Sequence, residues 1–416
     1  MKGRILFDYL RQRSKSSLGR ILVLTGARQT GKTTLARYCF PDYPYLSIED
    51  PIRRGDYQKL SADQWEALYP RAILDEVQRK PVLIESIKSV YDQYADPRYV
   101  LLGSSQFLLL EKVKETLAGR CLIMEIYPLT LPELMTDGFD GPVSPSFFAK
   151  YAENNEEVRY ILPSFFLDPR YAVKQRAYDF YLSYGGYPAL TEKSLSGEER
   201  REWLYNYVKT FLERDLRDLG SFRNLEPFIK LQRYLAFTTG GLINYSSMAK
   251  ETGVTVPTVQ RYVRYLEISY QALVLPAWFS NSLKRLVKAP KIHFMDQGVL
   301  QGVLQKTGAP AGNEFESAII SEIYKQIKTY RLPFTCYHFR TQDGREVDLL
   351  LEAADYFIAI EVKMTEHADV RDLRHLRGLQ NFLNKPLKGC FLLSNDRETH
   401  YFENNIIAMH AAAFLC

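Results

Sequence analysis

Residues 21–34 read Ile-Leu-Val-Leu-Thr-Gly-Ala-Arg-Gln-Thr-Gly-Lys-Thr-Thr. Ile21–Thr25 is a short apolar and β-branched run that stops at a glycine, the composition of a strand buried in a sheet. Leu35–Phe40, beyond it, reads as helix. Between them stands Gly26-x4-Gly31-Lys32-Thr33, the GxxxxGK[ST] spacing in the strand–loop–helix context that gives it meaning. Its glycines let the loop wrap with backbone N–H groups inward, and the helix N-terminus adds positive potential for anions. A phosphate cradle is therefore assigned to Gly26, Ala27, Arg28, Gln29, Thr30, Gly31, Lys32, Thr33 and Thr34. Lys32 is placed to reach terminal phosphates and Thr33 to offer its hydroxyl to Mg2+, so ATP and Mg2+ are the expected cofactors.

Arg71-Ala-Ile-Leu-Asp75-Glu76 is a second apolar strand, ending in two acids. Asp75 suits the Mg2+ shell, and Glu76 is placed to orient the attacking water. A third strand, Tyr99–Leu102, runs into Gly103-Ser104-Ser105-Gln106. Ser104, with Ser105 as second choice, is the candidate for sensing the terminal phosphate; the competing reading is a serine N-cap. Arg120 follows Gly119 and is the candidate arginine finger toward a neighbouring subunit, against the plainer reading of a surface arginine after a helix end.

The chain has 416 residues, which suggests roughly two or three domains. Hydrophobic residues are 46% and charged residues 25%, the balance of a globular protein. The uncharged stretch Ile268–Leu283 is too short and too polar to span a bilayer. MKGRILFDYLRQRSK carries no apolar core of a secretory signal. Five cysteines without a CxxC pair suggest neither a disulfide framework nor a zinc site, which makes a reducing cytoplasm the expected location. The net charge of +5 is small, but residues 201–291 alone carry an excess of seven positive charges.

Inside that basic stretch, residues 244–266 have the shape of a helix–turn–helix. Ser246 or Ser247 would cap a short helix that Gly253 ends. Thr255 would cap a second helix with Pro257 in its first turn. Val259, Val263, Leu266 and Tyr270 form the core-facing stripe. Ala272–Pro276 and the basic run from Lys284 would supply a wing. The residues expected to contact DNA are Thr258, Arg261, Arg264, Lys284 and Arg285. The alternative is a lid that packs protein on protein. Tyr184-Gly185-Gly186-Tyr187-Pro188 reads as a turn cluster with a structural role.

After Asp296 the chain changes character. Asn313–Tyr324 reads as a helix that carries Glu316, and Glu346–Glu352 and Phe357–Lys363 read as paired strands. Alternation puts Val347, Leu349 and Leu351 on one face and Asp348 on the other, while Glu361 and Lys363 share a face across the pair. Asp348 and Glu361 would hold Mg2+, Lys363 would orient its water and Glu316 would complete the shell. Glu316 also fits a capping box, and Glu361 with Lys363 a solvated strand face.

In this order, GARQTGKTT, ILDEVQ, LLGSSQ, LAGR with YPLT, YGGYP, the helix–turn–helix and GREVDLLLE…IEVK resemble the prokaryotic AAA-superfamily ATPases that carry a C-terminal domain of unknown function with a PD-(D/E)XK nuclease-like fold. The resemblance spans nearly the whole chain. It implies an α/β architecture: an AAA-type P-loop core (1–135), a helical linker or lid (136–230), a winged helix (231–295) and a restriction-endonuclease-like α/β domain (296–416). It implies a homo-oligomer, with a ring as one form; no membrane partner is expected, from the polarity of the uncharged stretch. No clear second sensor arginine is present. The leading expectation is an ATP-hydrolysing, DNA-binding protein with a Mg2+-dependent nuclease-like domain. A nucleotide-controlled regulatory switch and a chaperone-like ATPase are the alternatives.

Overall fold

The computed structural model describes residues 1–103, 113, 115–139, 141–154, 161–210, 216, 222, 224–280, 289–341 and 343–416. Ile21–Thr25 forms β1, and all five residues are buried. β2 (Tyr45–Ser47), β3 (Arg71–Asp75), β4 (Arg98–Leu102) and β5 (Leu122–Glu125) join it in a parallel sheet of order β2-β3-β4-β1-β5. A parallel sheet needs cover on both faces, and this one has it. One face packs Ile21 and Val23 against Ile84, Ile87 and Val90 of the helix Val82–Gln93. The other packs Leu22 and Leu24 against Leu35 and Ala36 of the helix Lys32–Cys39. The carboxyl ends of β1 and β3 therefore open on one edge, the place where open α/β sheets hold ligands.

A second core gathers the helices Gly197–Thr210, Glu226–Phe237, Tyr245–Thr252, Val256–Ile268 and Gln297–Leu304 around an antiparallel pair, β6 (Ala272–Leu275) and β7 (Lys291–Phe294). The helix Tyr245–Thr252 ends at Gly253, whose φ of 71° is left-handed, and the turn leads into the helix Val256–Ile268. Its N-cap is Asn244 and not Ser246 or Ser247: the Asn244 side chain accepts the Ser247 N–H at 3.0 Å. Val259, Val263 and Leu266 face the core as expected, joined by Tyr262. Tyr270 does not continue the stripe. The helix stops at Ile268, and Tyr270, at φ 61°, turns away to pack with Tyr127.

The chain then leaves β6 for the third core. Ala277 pairs in parallel with His338, and the Trp278 indole packs edge-on against Phe357 at 5.4 Å between ring centroids. Packing therefore crosses the expected boundary at 295/296. The third core holds the long helix Gly312–Tyr330 against a mixed six-stranded sheet. Its strands are β8 (Thr335–Arg340), β9 (Glu346–Glu352), β10 (Phe357–Val362), β11 (Leu387–Ser394), β12 (His400–Phe402) and β13 (Ile406–His410), in the order β12-β13-β11-β10-β9-β8.

Buried charges and glycines join the three parts. Lys325 and Glu322, both fully buried, pair at 2.9 Å on the long helix. Glu322 accepts the N–H of Leu131, and Lys325 donates to the carbonyl of Leu129 just beyond β5. In the Tyr184–Pro188 turn, a Cβ on Gly185 would meet Asp296 Oδ1 at 2.0 Å, and one on Gly186 would meet Leu129 O at 2.2 Å. The Gly186 N–H donates to Asp296 and its carbonyl accepts from Leu129. Two glycines are required there because two other elements touch the backbone directly.

Candidate functional site

The first candidate site lies at the carboxyl ends of β1 and β3. Gly26 takes φ 146°, where a Cβ would overlap Ile126 O at 2.1 Å, and Gly31 takes φ 87° as it starts the helix. Gln29 is left-handed at φ 61°. Ala27 and Thr30 are buried, the Thr30 hydroxyl donating to Ala27 O, while Arg28 is half-buried and Gln29 exposed at the outer bend. Lys32 folds back over the loop and donates to the carbonyls of Gly26 and Ala27 at 2.9 and 2.7 Å. Thr33 donates to Asp75 Oδ2 at 2.7 Å, and the Tyr45 hydroxyl donates to the same oxygen at 2.8 Å. Thr33 and Asp75 are hard oxygen donors already in contact at the phosphate end of the loop, a set that fits Mg2+.

Glu76 sits one residue past the strand at φ 56°, its N–H donating to Asp75 Oδ1 at 2.9 Å. A left-handed glutamate costs about 1–2 kcal/mol, and such strain concentrates at functional sites. Its carboxylate is held by the Gln78 side chain. A cavity of about 370 Å³ opens beside the loop, lined by Thr30, Gly31 and Thr34 on one side and by Pro188, Ala189 and Lys193 on the other. The Tyr184–Pro188 turn thus ends on the cradle itself, with Pro188 Cγ 3.8 Å from the Cβ position of Gly31. Tyr45, Gln78 and Pro188 belong to this site although none of them was expected there, Gln78 and Pro188 standing at the ends of the ILDEVQ and YGGYP motifs. Their signal is spatial, from β2, from the turn after β3 and from a loop 157 positions after Gly31.

Arg120 lies just before β5, at the amino end of the sheet and away from its own chain's cradle. It forms an ion pair with Asp92, at 2.7 and 3.3 Å. Ser104 and Ser105 lie outside the described residues, as do Lys284 and Arg285. Of the other residues expected to contact DNA, Arg261 and Arg264 are exposed on the helix Val256–Ile268 and Thr258 is half-buried. Arg264 pairs with Glu267 one turn on.

The second candidate site is the acidic cluster of the C-terminal sheet. The β9–β10 register sets Leu349 opposite Ile360, so Asp348 stands opposite Glu361, and Asp348 Oδ2 accepts the Val362 N–H at 2.9 Å. The alternation read from the sequence breaks here. Two residues of β9, Asp348 and Leu349, oppose the single His338 of β8. Across that bulge Val347 packs with Leu350 and Ala359, and not with Leu349 and Leu351, which face the long helix. A bulge re-aims the side chain it carries, and this one turns Asp348 toward Glu316.

A residue without an assigned role occupies the centre. Lys291, 2% exposed, arrives on β7 and puts its ammonium 2.6 Å from Glu346 Oε1, 3.0 Å from Glu316 Oε1 and 3.3 Å from Asp348 Oδ1. Lys363 donates to Glu361 Oε1 at 2.7 Å. Burial works against the charge on Lys291, but Glu316, Asp348 and Glu346 outweigh it and hold the ammonium protonated. Burial and then the charge of Asp348 push Glu316 up to about 7 and Glu361 up to about 8. Glu361 Oε2 is buried without a hydrogen-bond partner, and burial favours the protonated form of that carboxyl. The expected Mg2+ set is therefore brought together, but around an ammonium. Among the described residues no group of three or more His, Cys, Asp or Glu has the arrangement of a metal site. Glu316 does not cap its helix: Glu314 closes that capping box through the N–H of Ala311.

Comparison with known proteins follows the same division. Residues 18–135 match the profile of an AAA domain, 175–309 that of a domain of unknown function (DUF8612) and 311–414 that of another (DUF4143). An uncharacterized protein of Mycobacterium tuberculosis is 27% identical over 359 residues, 83% of this chain and 70% of that one. An uncharacterized protein of Haemophilus influenzae is 19% identical over 374 residues, 82% of each. Among solved structures, the Walker-type ATPase PABY2304 of Pyrococcus abyssi is similar at a TM-score of 0.43 and 15% identity, over 71% of this chain and 95% of that one. The matched AAA profile and the geometry of the cradle agree on a P-loop, AAA-like N-terminal domain. Among the described residues no helix is long and apolar enough to cross a membrane.

Proposed function

We propose that the chain binds and hydrolyses ATP and that its nucleotide state controls the grip of the middle and C-terminal parts on DNA. The observation that carries the first half is the contact of Thr33 with Asp75 at 2.7 Å, beside Lys32 and below Glu76. When bound, Mg2+ would be held by Thr33 and Asp75 and would offset negative charge on the phosphates. Lys32, now on the carbonyls of Gly26 and Ala27, exchanges them for terminal phosphate oxygens. The Glu76 carboxylate, steadied by Gln78, orients water and accepts its proton. The Pro188–Lys193 side of the cavity couples occupancy to the rest of the chain, because the turn behind it is bonded to Asp296 and Leu129. Arg120 acts in a homo-oligomer, ring-shaped or smaller, where one chain's finger meets its neighbour's phosphates after release from Asp92.

The DNA half rests on the helix Val256–Ile268, which presents Arg261 and Arg264 to solvent within the basic stretch. In this reading the helix enters a groove, and the basic residues Lys284 and Arg285 add contacts to phosphates. Mg2+-dependent cleavage does not follow, because Asp348 is engaged by Lys291 and Glu361 by Lys363; the C-terminal domain is read as gripping and not cutting. ATP turnover measured with and without duplex DNA over a salt series tests the proposal. DNA stimulation that fades steeply with salt supports it, and DNA-independent turnover favours the protein-directed switch instead.

A further inference from the structure

We infer that the ammonium of Lys291 takes the place of a divalent cation among the C-terminal carboxylates, so that this cluster is a closed ion-pair joint and not a metal centre.

The geometry supports this from each partner. Glu316 comes from the long helix, and Glu346 and Asp348 come from β9; their oxygens converge on a single Nζ at 2.6–3.3 Å. Carboxylates gathered from a helix and a strand around one positive centre are the arrangement a metal usually organises. Here the positive centre is supplied by the chain. The second oxygen of Asp348 is occupied by the Val362 N–H, and the first oxygen of Glu361 by Lys363. A divalent ion bonded to Asp348 and Glu361 would stand against the ammonium, which already lies 3.3 Å from Asp348 Oδ1.

The lysine is also held in place from its backbone. Lys291 pairs with Leu275 in the β6–β7 ladder and bridges to Leu242 on its other side. Beyond β6, Ala277 bridges to His338 of β8, and His338 meets the carbonyl of Ala289. The strand that carries the ammonium is thus pinned on both flanks, and withdrawal of the side chain would take the ion-pair partner from Asp348 and Glu316, while Glu346 keeps Arg340 at 3.4 Å. The joint has a structural consequence: the helix–turn–helix part and the C-terminal sheet behave as one body. This inference stands apart from the ATPase reading, since none of its residues touch the cradle.

The test is Mn2+ binding to the full-length, nucleotide-free chain, followed by the electron paramagnetic resonance of free Mn2+ in an Asp75→Asn background that removes the P-loop ligand. The inference expects no site tighter than about 1 mM, and no change on adding Asp348→Asn. It expects Lys291→Met to open a site at least ~10-fold tighter, lost again in Lys291→Met/Asp348→Asn. A submillimolar site in the chain with Lys291 intact, abolished by Asp348→Asn, overturns it, as does a folded Lys291→Met variant that gains no site. Should Lys291→Met fail to fold, the Lys291-containing pair still decides between the two outcomes.

Discussion

The P-loop cradle and the C-terminal acidic cluster use the same ingredients in opposite ways. Each puts carboxylates at strand ends or bulges, and each contains a lysine. In the cradle, Lys32 rests on loop carbonyls and Thr33 donates to Asp75, while the neighbouring Thr30, Gly31 and Thr34 line a cavity. In the C-terminal cluster, Lys291 sits on the acids themselves and is 2% exposed. A cation site is therefore defined less by its ligands than by what already neutralises them. Buried acids need a counter-charge, and the chain can provide it permanently or leave the place to be filled.

The comparison can be broken most forcefully at Lys291. Lys291→Ala takes the ammonium from the buried Asp348 and the half-buried Glu316 and is expected to destabilise the chain by about 3 kcal/mol, read by urea unfolding. A loss near zero would mean that the ion pairs are not sustained. Lys32→Ala should reduce ATP turnover by at least ~100-fold, worth about 2.7 kcal/mol of barrier, with the melting curve nearly unchanged. Normal hydrolysis in that variant would end the P-loop assignment.

Smaller effects sharpen the contrast. Glu361 has a folded-state pKa of about 8, above its ordinary 4.5, so it contributes stability at low pH that is lost as pH rises through about 8. Melting temperature should fall between pH 6 and pH 9, and Glu361→Gln should flatten that part of the profile. Arg261→Ala should weaken DNA binding several-fold and, if its contact is to phosphate, reduce the salt slope by about one. Arg120→Ala should leave the melting temperature where it is, because its pair with Asp92 is solvent-screened, while lowering turnover only in oligomeric preparations.

What was legible in the sequence was local or periodic. The strand, glycine loop and helix at 21–39 specify one another over a few residues, and Asp75 and Glu76 follow from a strand's end. Asp348, Glu361 and Lys363 could be brought near each other because two adjacent strands share a register. What escaped depended on distant partners. Lys291 meets Asp348 across 57 positions, and nothing in KIHF distinguishes it from an ordinary strand lysine. The bulge at Asp348–Leu349 exists only because β8 has one residue fewer there, which alternation along β9 cannot reveal. Gly186 reads as a turn glycine until Asp296, 110 positions away, and Leu129 are placed against it. Asn244 outcompeted Ser246 and Ser247 as a cap because the helix starts two or three residues earlier than the serines suggest.

The central claim is that the two clusters differ in access to a cation, and counting Mn2+ per chain in the presence of a non-hydrolysable ATP analogue tests it most directly. A single bound ion, removed by Asp75→Asn and untouched by Asp348→Asn, is the predicted result. A second ion that disappears with Asp348→Asn would contradict it.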